Sequence, residues 1–329
     1  MQLFFVGCKF NITDDQLQII KLMFFNNLVD IVMPSTPCSQ AEVKAMKEFL
    51  TLHNFRANIF LEEQTTIAHK NNHEFSSASP KHRFLQLHQA LENPNSQIIW
   101  CARGGYGCAE IIEYLYSIDR PQKNKIFIGF SDITSLNIFL HQQWQYPTIT
   151  APVLIQCAYD KVSVNSTRTI INLIKGNINT LSYQLVNLKN HNFSQIKGEL
   201  VGGCVSVIAG NFGCKNQLNW HDKILFLEDE GEDGERLDRY FQQITTIIKE
   251  THQRPLAIVL GNFMQGNLHG SPKLENIEIA IERFVKKTND IPFFQEQSFC
   301  LGHSFEMLPL IVGGMTTISD KNILKQNIF

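Results

Sequence analysis

The sequence contains no pair of cysteines at C-x-x-C spacing and no H-E-x-x-H. Its eight cysteines and eleven histidines are scattered. That pattern excludes a zinc site and a disulfide framework, and reads as the reduced thiols of a cytoplasmic protein. No metal and no cofactor is expected. There is no basic block either. The formal charge is -2 and charged residues make up 18% of the chain, so nucleic acid is not expected as a partner. No apolar run is long enough to span a bilayer, which argues against a membrane protein. The apolar start, residues 1–8, is too short for a secretory signal and lacks a basic n-region. Internal repeats and low-complexity tracts are absent.

What is present is an α/β pattern. With 329 residues, 43% of them hydrophobic, the chain exceeds one average core, and two domains are expected. Residues 1–27 form a leader with no assignable role. Residues 28–157 form a first domain. Leu28 to Met33 reads as a buried strand, Ser39 caps a helix from Gln40 to Asn54, and Asn58 to Leu61 reads as a second strand. Glu62 to Ser79 is polar and reads as a loop. A helix from Lys81 to Glu92, a strand from Ser96 to Cys101 and a helix from Cys108 to Tyr116 follow. Strands alternating with helices imply a parallel sheet whose sites lie beyond the carboxyl ends of its strands. Residues 158–195 are polar and read as a connection with one helical stretch. Residues 196–329 form a second unit, with strands at Lys223 to Leu227 and Leu256 to Gly261 and a helix from Arg236 to Lys249.

The stretch around which the first domain is organised is Lys125-Ile126-Phe127-Ile128-Gly129-Phe130-Ser131-Asp132. An apolar strand turns sharply into an amphipathic helix. Such a turn exposes a serine hydroxyl beside unpaired helix N–H groups, as a nucleophile requires. A helix-capping serine fits the same residues. Glu228 ends an apolar strand and could orient a base, or could belong to an acidic surface loop. A calcium loop there is discounted, because Tyr240 stands where the terminal glutamate is needed. His303 ends another apolar run and could be the base, or a structural histidine. Arg103-Gly104-Gly105-Tyr106-Gly107 lacks the lysine of a phosphate loop. Its glycines let the Gly105 amide approach a reacting carbonyl, with the Asp132 amide as the second oxyanion donor.

Together the pieces Trp100 to Gly107, Gly129 to Thr134, Leu227-Glu228-Asp229 with Asp238-Arg239, Gly261-Asn262-Phe263 and Gly302-His303 resemble the LD-carboxypeptidases. That family of serine peptidases, the muramoyltetrapeptide carboxypeptidases, also includes the microcin C self-immunity peptidases. The resemblance implies Ser131 as nucleophile, His303 as general base and Glu228 as the acid that orients it. It implies a glutamine-amidotransferase-like parallel-sheet domain, then a smaller C-terminal α/β domain, with the site in the cleft. Arg103, Gly104 and Tyr106 would contact substrate; Arg103, directly before the glycine pair, either binds a terminal carboxylate or pins its loop through backbone carbonyls. The expected activity is removal of the terminal D-alanine from murein tetrapeptide by a cytoplasmic homodimer. The alternatives are hydrolysis of a peptide-nucleotide antibiotic, or a silent binding protein. The chain departs from the family pattern at Ala151, where His-Gly-Pro is usual, at Cys204, where Gly-Gly-Asn is usual, and in a shorter segment after His303.

Overall fold

The structure, a computed structural model, describes residues 4–5, 8–9, 27–62, 75–123, 125–189, 192–251, 253–264, 274–288 and 290–328. Most of the leader lies outside these, as does most of the loop expected over Glu62 to Ser79. Of the leader, Phe4–Phe5 pairs antiparallel with Cys8–Lys9.

Short apolar runs separated by capped helices build the first sheet. Its strands lie in the order Arg56–Asn58, Leu28–Val32, Ile98–Cys101, Ile126–Ile128, Thr148–Thr150, all parallel. This is a flavodoxin-like order, with its reversal point between Leu28–Val32 and Ile98–Cys101. Helix Gln40–Leu52 starts at a capping box, where Ser39 and Glu42 exchange bonds of 3.2 and 2.7 Å. It buries Val43, Met46, Phe49 and Leu50, one helical stripe. The indole of the fully buried Trp100 donates to the Pro152 carbonyl at 2.9 Å. The second strand lies at Arg56–Asn58, not at Asn58 to Leu61. The apolar residues that follow, Ile59 and Phe60, pack half-buried against the core instead of continuing the strand.

Seven strands of the remaining chain close a barrel. Gln195–Cys204, Ile224–Glu230, Ala257–Met264 and Phe293–Glu296 form its parallel half. Thr180–Asn187, Ile323–Asn327 and Met315–Ser319 complete it in antiparallel fashion. Helices Gly234–Glu250 and Leu274–Lys287 pack on one side, with Phe241 and Phe284 stacked at 4.5 Å. The stretch Ala158 to Gln195, expected as a connection, carries helix Val164–Ile174 and the barrel strand Thr180–Asn187. Alternating polar and apolar residues made that strand look like polar coil, because only one of its faces meets the core.

Two features lock the units together. Strand Leu310–Val312, from late in the chain, pairs antiparallel with Thr148–Thr150 at the edge of the first sheet. Gly203 presses against helix Thr134–Trp144, where a Cβ would lie 2.7 Å from the Thr134 Oγ1. The Cys204 amide donates to that oxygen at 3.2 Å.

The first sheet also buries a charge cluster. Asp30 accepts from Asn58 at 2.7 Å, from Asn93 at 2.9 Å and from Ser96, with Lys125 Nζ 3.6 Å away. Lys125 donates to the carbonyls of Ala90 and Asn93 and to Ser96. Burial pulls the lysine below its ordinary range and Asp30 opposes that. Asp30→Ala would leave the ammonium uncompensated, so unfolding free energy should fall by about 3–5 kcal/mol. Urea titration should show a lower midpoint at an unchanged slope. A loss below about 1 kcal/mol would show that Lys125 does not depend on Asp30.

Candidate active site

Strand Ile126–Ile128 ends at Gly129, and a 3₁₀ turn, Ser131–Ile133, leads into helix Thr134–Trp144. Ser131 stands at φ +65°. That left-handed conformation costs a side-chain-bearing residue on the order of 1 kcal/mol. The serine is not a cap, since neither the turn nor the helix receives a side-chain capping bond. The turn after Ile98–Cys101 leans on it. A Cβ on Gly104 would lie 3.0 Å from Ser131 Cβ and 3.3 Å from its Oγ. Gly105, the next residue, has φ +111°, and no hydrogen bond to its amide forms among the described residues.

Asp132 anchors this corner. Its buried carboxylate accepts from the Ser35 hydroxyl and from the Cys108 amide at 2.9 Å. Cys108 opens helix Cys108–Leu115, so the carboxylate sits at a positive helix end. Burial pushes the carboxyl up, and the bonds from Ser35 and Cys108 resist. Three strand-end loops are thereby tied together.

The barrel supplies the other half. Glu228 lies near the end of Ile224–Glu230 and is fully buried. One of its oxygens lies 2.5 Å from His303 Nδ1 and also accepts the His303 amide at 3.0 Å. Gly302 makes this possible, because a Cβ there would strike Glu228 Cβ at 2.6 Å. Asn262 donates to the His303 carbonyl at 2.7 Å. The ring of Phe130, the residue before Ser131, lies 4.6 Å from the imidazole, centroid to centroid. Burial lowers the His303 pKa, but the Glu228 carboxylate and its hydrogen bond, then Glu230 and Asp229, outweigh it and raise it to about 8.

Arg103 is held by the loop before the first helix and by that helix's first turn. It donates to Glu42 at 2.5 Å and to the Pro37 carbonyl at 3.2 Å, pinning the loop before helix Gln40–Leu52. These bonds support a loop-pinning role over the substrate contact expected for it. Tyr106 is exposed and packs edge-on against Phe75, with ring centroids 6.0 Å apart. Its amide is held by Thr36 Oγ1 at 3.2 Å. One important residue gave no signal in the sequence. Arg83 is fully buried, donates to the carbonyls of Ala78, Pro34 and Gly107, and pairs with Glu110. It reads as a surface charge on an amphipathic helix. Among the described residues no cluster of three His, Cys, Asp or Glu could hold a metal ion.

Residues 29–151 match the LD-carboxypeptidase N-terminal domain, and residues 197–318 match the LD-carboxypeptidase C-terminal domain. The chain belongs to the LD-carboxypeptidase family. As a member of that family it is a peptidase hydrolase. A Rickettsia prowazekii protein provisionally named a carboxypeptidase is 28% identical over 90% of this chain and 92% of its own. The murein tetrapeptide carboxypeptidase of Pseudomonas aeruginosa is 29% identical over 58% of this chain and 64% of its own. Among solved structures, muramoyltetrapeptide carboxypeptidase from Oxalobacter formigenes superposes with TM-score 0.74 at 20% identity, covering 92% of this chain and 99% of that one. The microcin C7 self-immunity protein superposes with TM-score 0.72 at 19% identity, covering 92% and 96%. Both structures share the two-domain α/β fold of this LD-carboxypeptidase family member. No helix among its described residues is long and apolar enough to cross a membrane.

The His303–Glu228 pair makes stability depend on pH. The folded pKa, about 8, lies above the ordinary 6.5. The pair therefore stabilises the fold fully below about pH 6.5, by about 2 kcal/mol, and that contribution is lost as pH rises through 8. In Glu228→Gln the His303 resonance should titrate well below 8 by NMR, and this part of the pH dependence should vanish. An unmoved titration would show that Glu228 does not set the histidine's charge.

Proposed function

We propose that this chain is a serine carboxypeptidase that removes the terminal D-alanine from the L,D-bond of murein tetrapeptide. The observation that carries the reading is the chain of contacts Glu228–His303–Phe130, which ends beside a left-handed, uncapped Ser131. Glu228 holds the Nδ1 proton and leaves Nε2 as the base. Ser131 Oγ attacks the scissile carbonyl and passes its proton to Nε2. The Gly105 and Asp132 amides receive the oxyanion. His303 then protonates the leaving amine, D-alanine departs, and water releases the acyl-enzyme by the same proton path. Gly104 and Tyr106 wall the substrate.

Cell-wall recycling in the cytoplasm and a homodimeric state belong to the same reading, and sedimentation of the purified chain should give a dimer. The likeness of fold to the microcin C7 self-immunity protein favours one second reading, cleavage of an amide in a peptide-nucleotide antibiotic. Incubation with murein tetrapeptide and with such an antibiotic, followed by mass spectrometry, separates the two. Loss of alanine from the tetrapeptide is the expected result. Ser131→Ala should fold normally and lose roughly 10⁴- to 10⁶-fold in kcat. Because the base must be neutral, kcat/KM should rise with pH through about 8. Near wild-type turnover by a folded Ser131→Ala protein would remove the serine mechanism.

A further inference from the structure

His303 lies between two carboxylates, and the proposed triad uses only one. Glu228 and Glu230 are two residues apart on Ile224–Glu230, at and just past the strand's register shift between Leu227 and Asp229, and both carboxylates reach His303. Glu228 meets Nδ1 at 2.5 Å, and Glu230 approaches Nε2 at 3.5 Å. Asp229, between them, turns to the other side, where it accepts from Ser206 N at 2.6 Å and Ser206 Oγ at 3.2 Å. Glu228 is buried, whereas the Glu230 side chain is 49% exposed. It therefore reaches open solvent beside the nitrogen that would move the proton.

No lysine or arginine among the described residues is ion-paired with Glu230. Two arginines in the segments that follow strands Ile98–Cys101 and Ile224–Glu230 already have carboxylate partners. Arg103 is held by Glu42, and Arg236 lies against Glu232 and Asp233. When His303 is neutral, as a base must be, Glu230 is a carboxylate beside the candidate reaction centre with no counter-charge among the described residues. Such a carboxylate favours a cation that arrives with the substrate.

We propose that Glu230 is a specificity-determining residue that receives an ammonium group on the acyl side of the substrate's scissile bond. This rests on the carboxypeptidase reading. There the leaving amino acid carries a free carboxylate, which Glu230 would repel, so the cation must belong to the acyl residue. The same contact frees the base. An ammonium that takes over Glu230 removes one of the carboxylates holding the proton on the imidazole. The groups facing His303 are Glu228 and Glu230 from one strand, the uncharged Asn262, and the Phe130 ring from the other domain, with the Asp229 charge acting from the strand's other face.

The test uses short peptides ending in D-alanine whose acyl residue is lysine or Nε-acetyllysine, each with its α-amine free or acetylated. The two pairs separate a side-chain amine from an α-amine as the source of the charge. Wild-type kcat/KM should favour one amine over its acetylated form by roughly 10- to 100-fold, mainly through KM. In Glu230→Gln that ratio should collapse towards one, and the acid limb of kcat/KM should move to lower pH. A merely structural role would move neither. Equal wild-type rates on every pair, or a preference that survives in Glu230→Gln, would overturn the inference. If wild type cleaves none of the peptides, the carboxypeptidase reading fails on its own. Calorimetric binding of the same peptides to Ser131→Ala then decides the inference. Amine-dependent binding that disappears in Ser131→Ala/Glu230→Gln supports it, and binding without amine dependence, or no binding, overturns it.

Discussion

A buried carboxylate held against an imidazole is the constraint on which the candidate site depends. Glu228 has no exposed surface and would be costly as a lone charge. His303 satisfies one of its oxygens through both Nδ1 and the backbone amide. That double contact fixes the histidine's position from its backbone and from its ring at once. Only glycine before it allows the approach. The barrel thus holds a pre-oriented imidazole at its rim, and Phe130 meets the ring from the opposite domain.

A site assembled from two domains demands an interface that does not drift, because tolerances for catalytic groups are about half an ångström. The chain meets this demand in two ways. Gly203 lets the barrel wall touch helix Thr134–Trp144 directly, one turn after Ser131. Strand Leu310–Val312, a few residues past His303, joins the edge of the first sheet. His303 therefore lies between a barrel strand and a strand that belongs to the same sheet as the Ser131 turn. The two units are covalently and sterically interleaved rather than joined at one hinge.

The Ser131 turn is held by buried polar groups in addition to apolar packing. Loops at strand ends carry backbone groups that must find partners. Arg83 serves three such carbonyls, and Asp132 collects a hydroxyl and a helix-opening amide. Arg103 performs a similar service with Glu42 and Pro37. These residues hold a turn in which Ser131 occupies a disfavoured backbone conformation. Local strain of that kind persists only where the surroundings over-determine it.

The sequence by itself determined the parallel-sheet domain, because its strands are continuous apolar runs and its helices carry caps and stripes. It also marked Ser131, Glu228 and His303 as ends of apolar runs, and the motifs around them identified the family. It did not disclose the barrel strands Thr180–Asn187 and Ile323–Asn327, whose half-polar alternation resembles coil. Nor did it disclose that Arg83 is buried or that Glu230 stands beside Nε2. A residue's spacing reports which face of its own element it occupies. Which partner that face meets is decided by contacts between segments remote in sequence. Arg83 contacts Pro34, forty-nine residues away, and His303 contacts Glu228 across seventy-five. Only the closed tertiary structure brings such groups within hydrogen-bond range, where burial and charge then set what each can do.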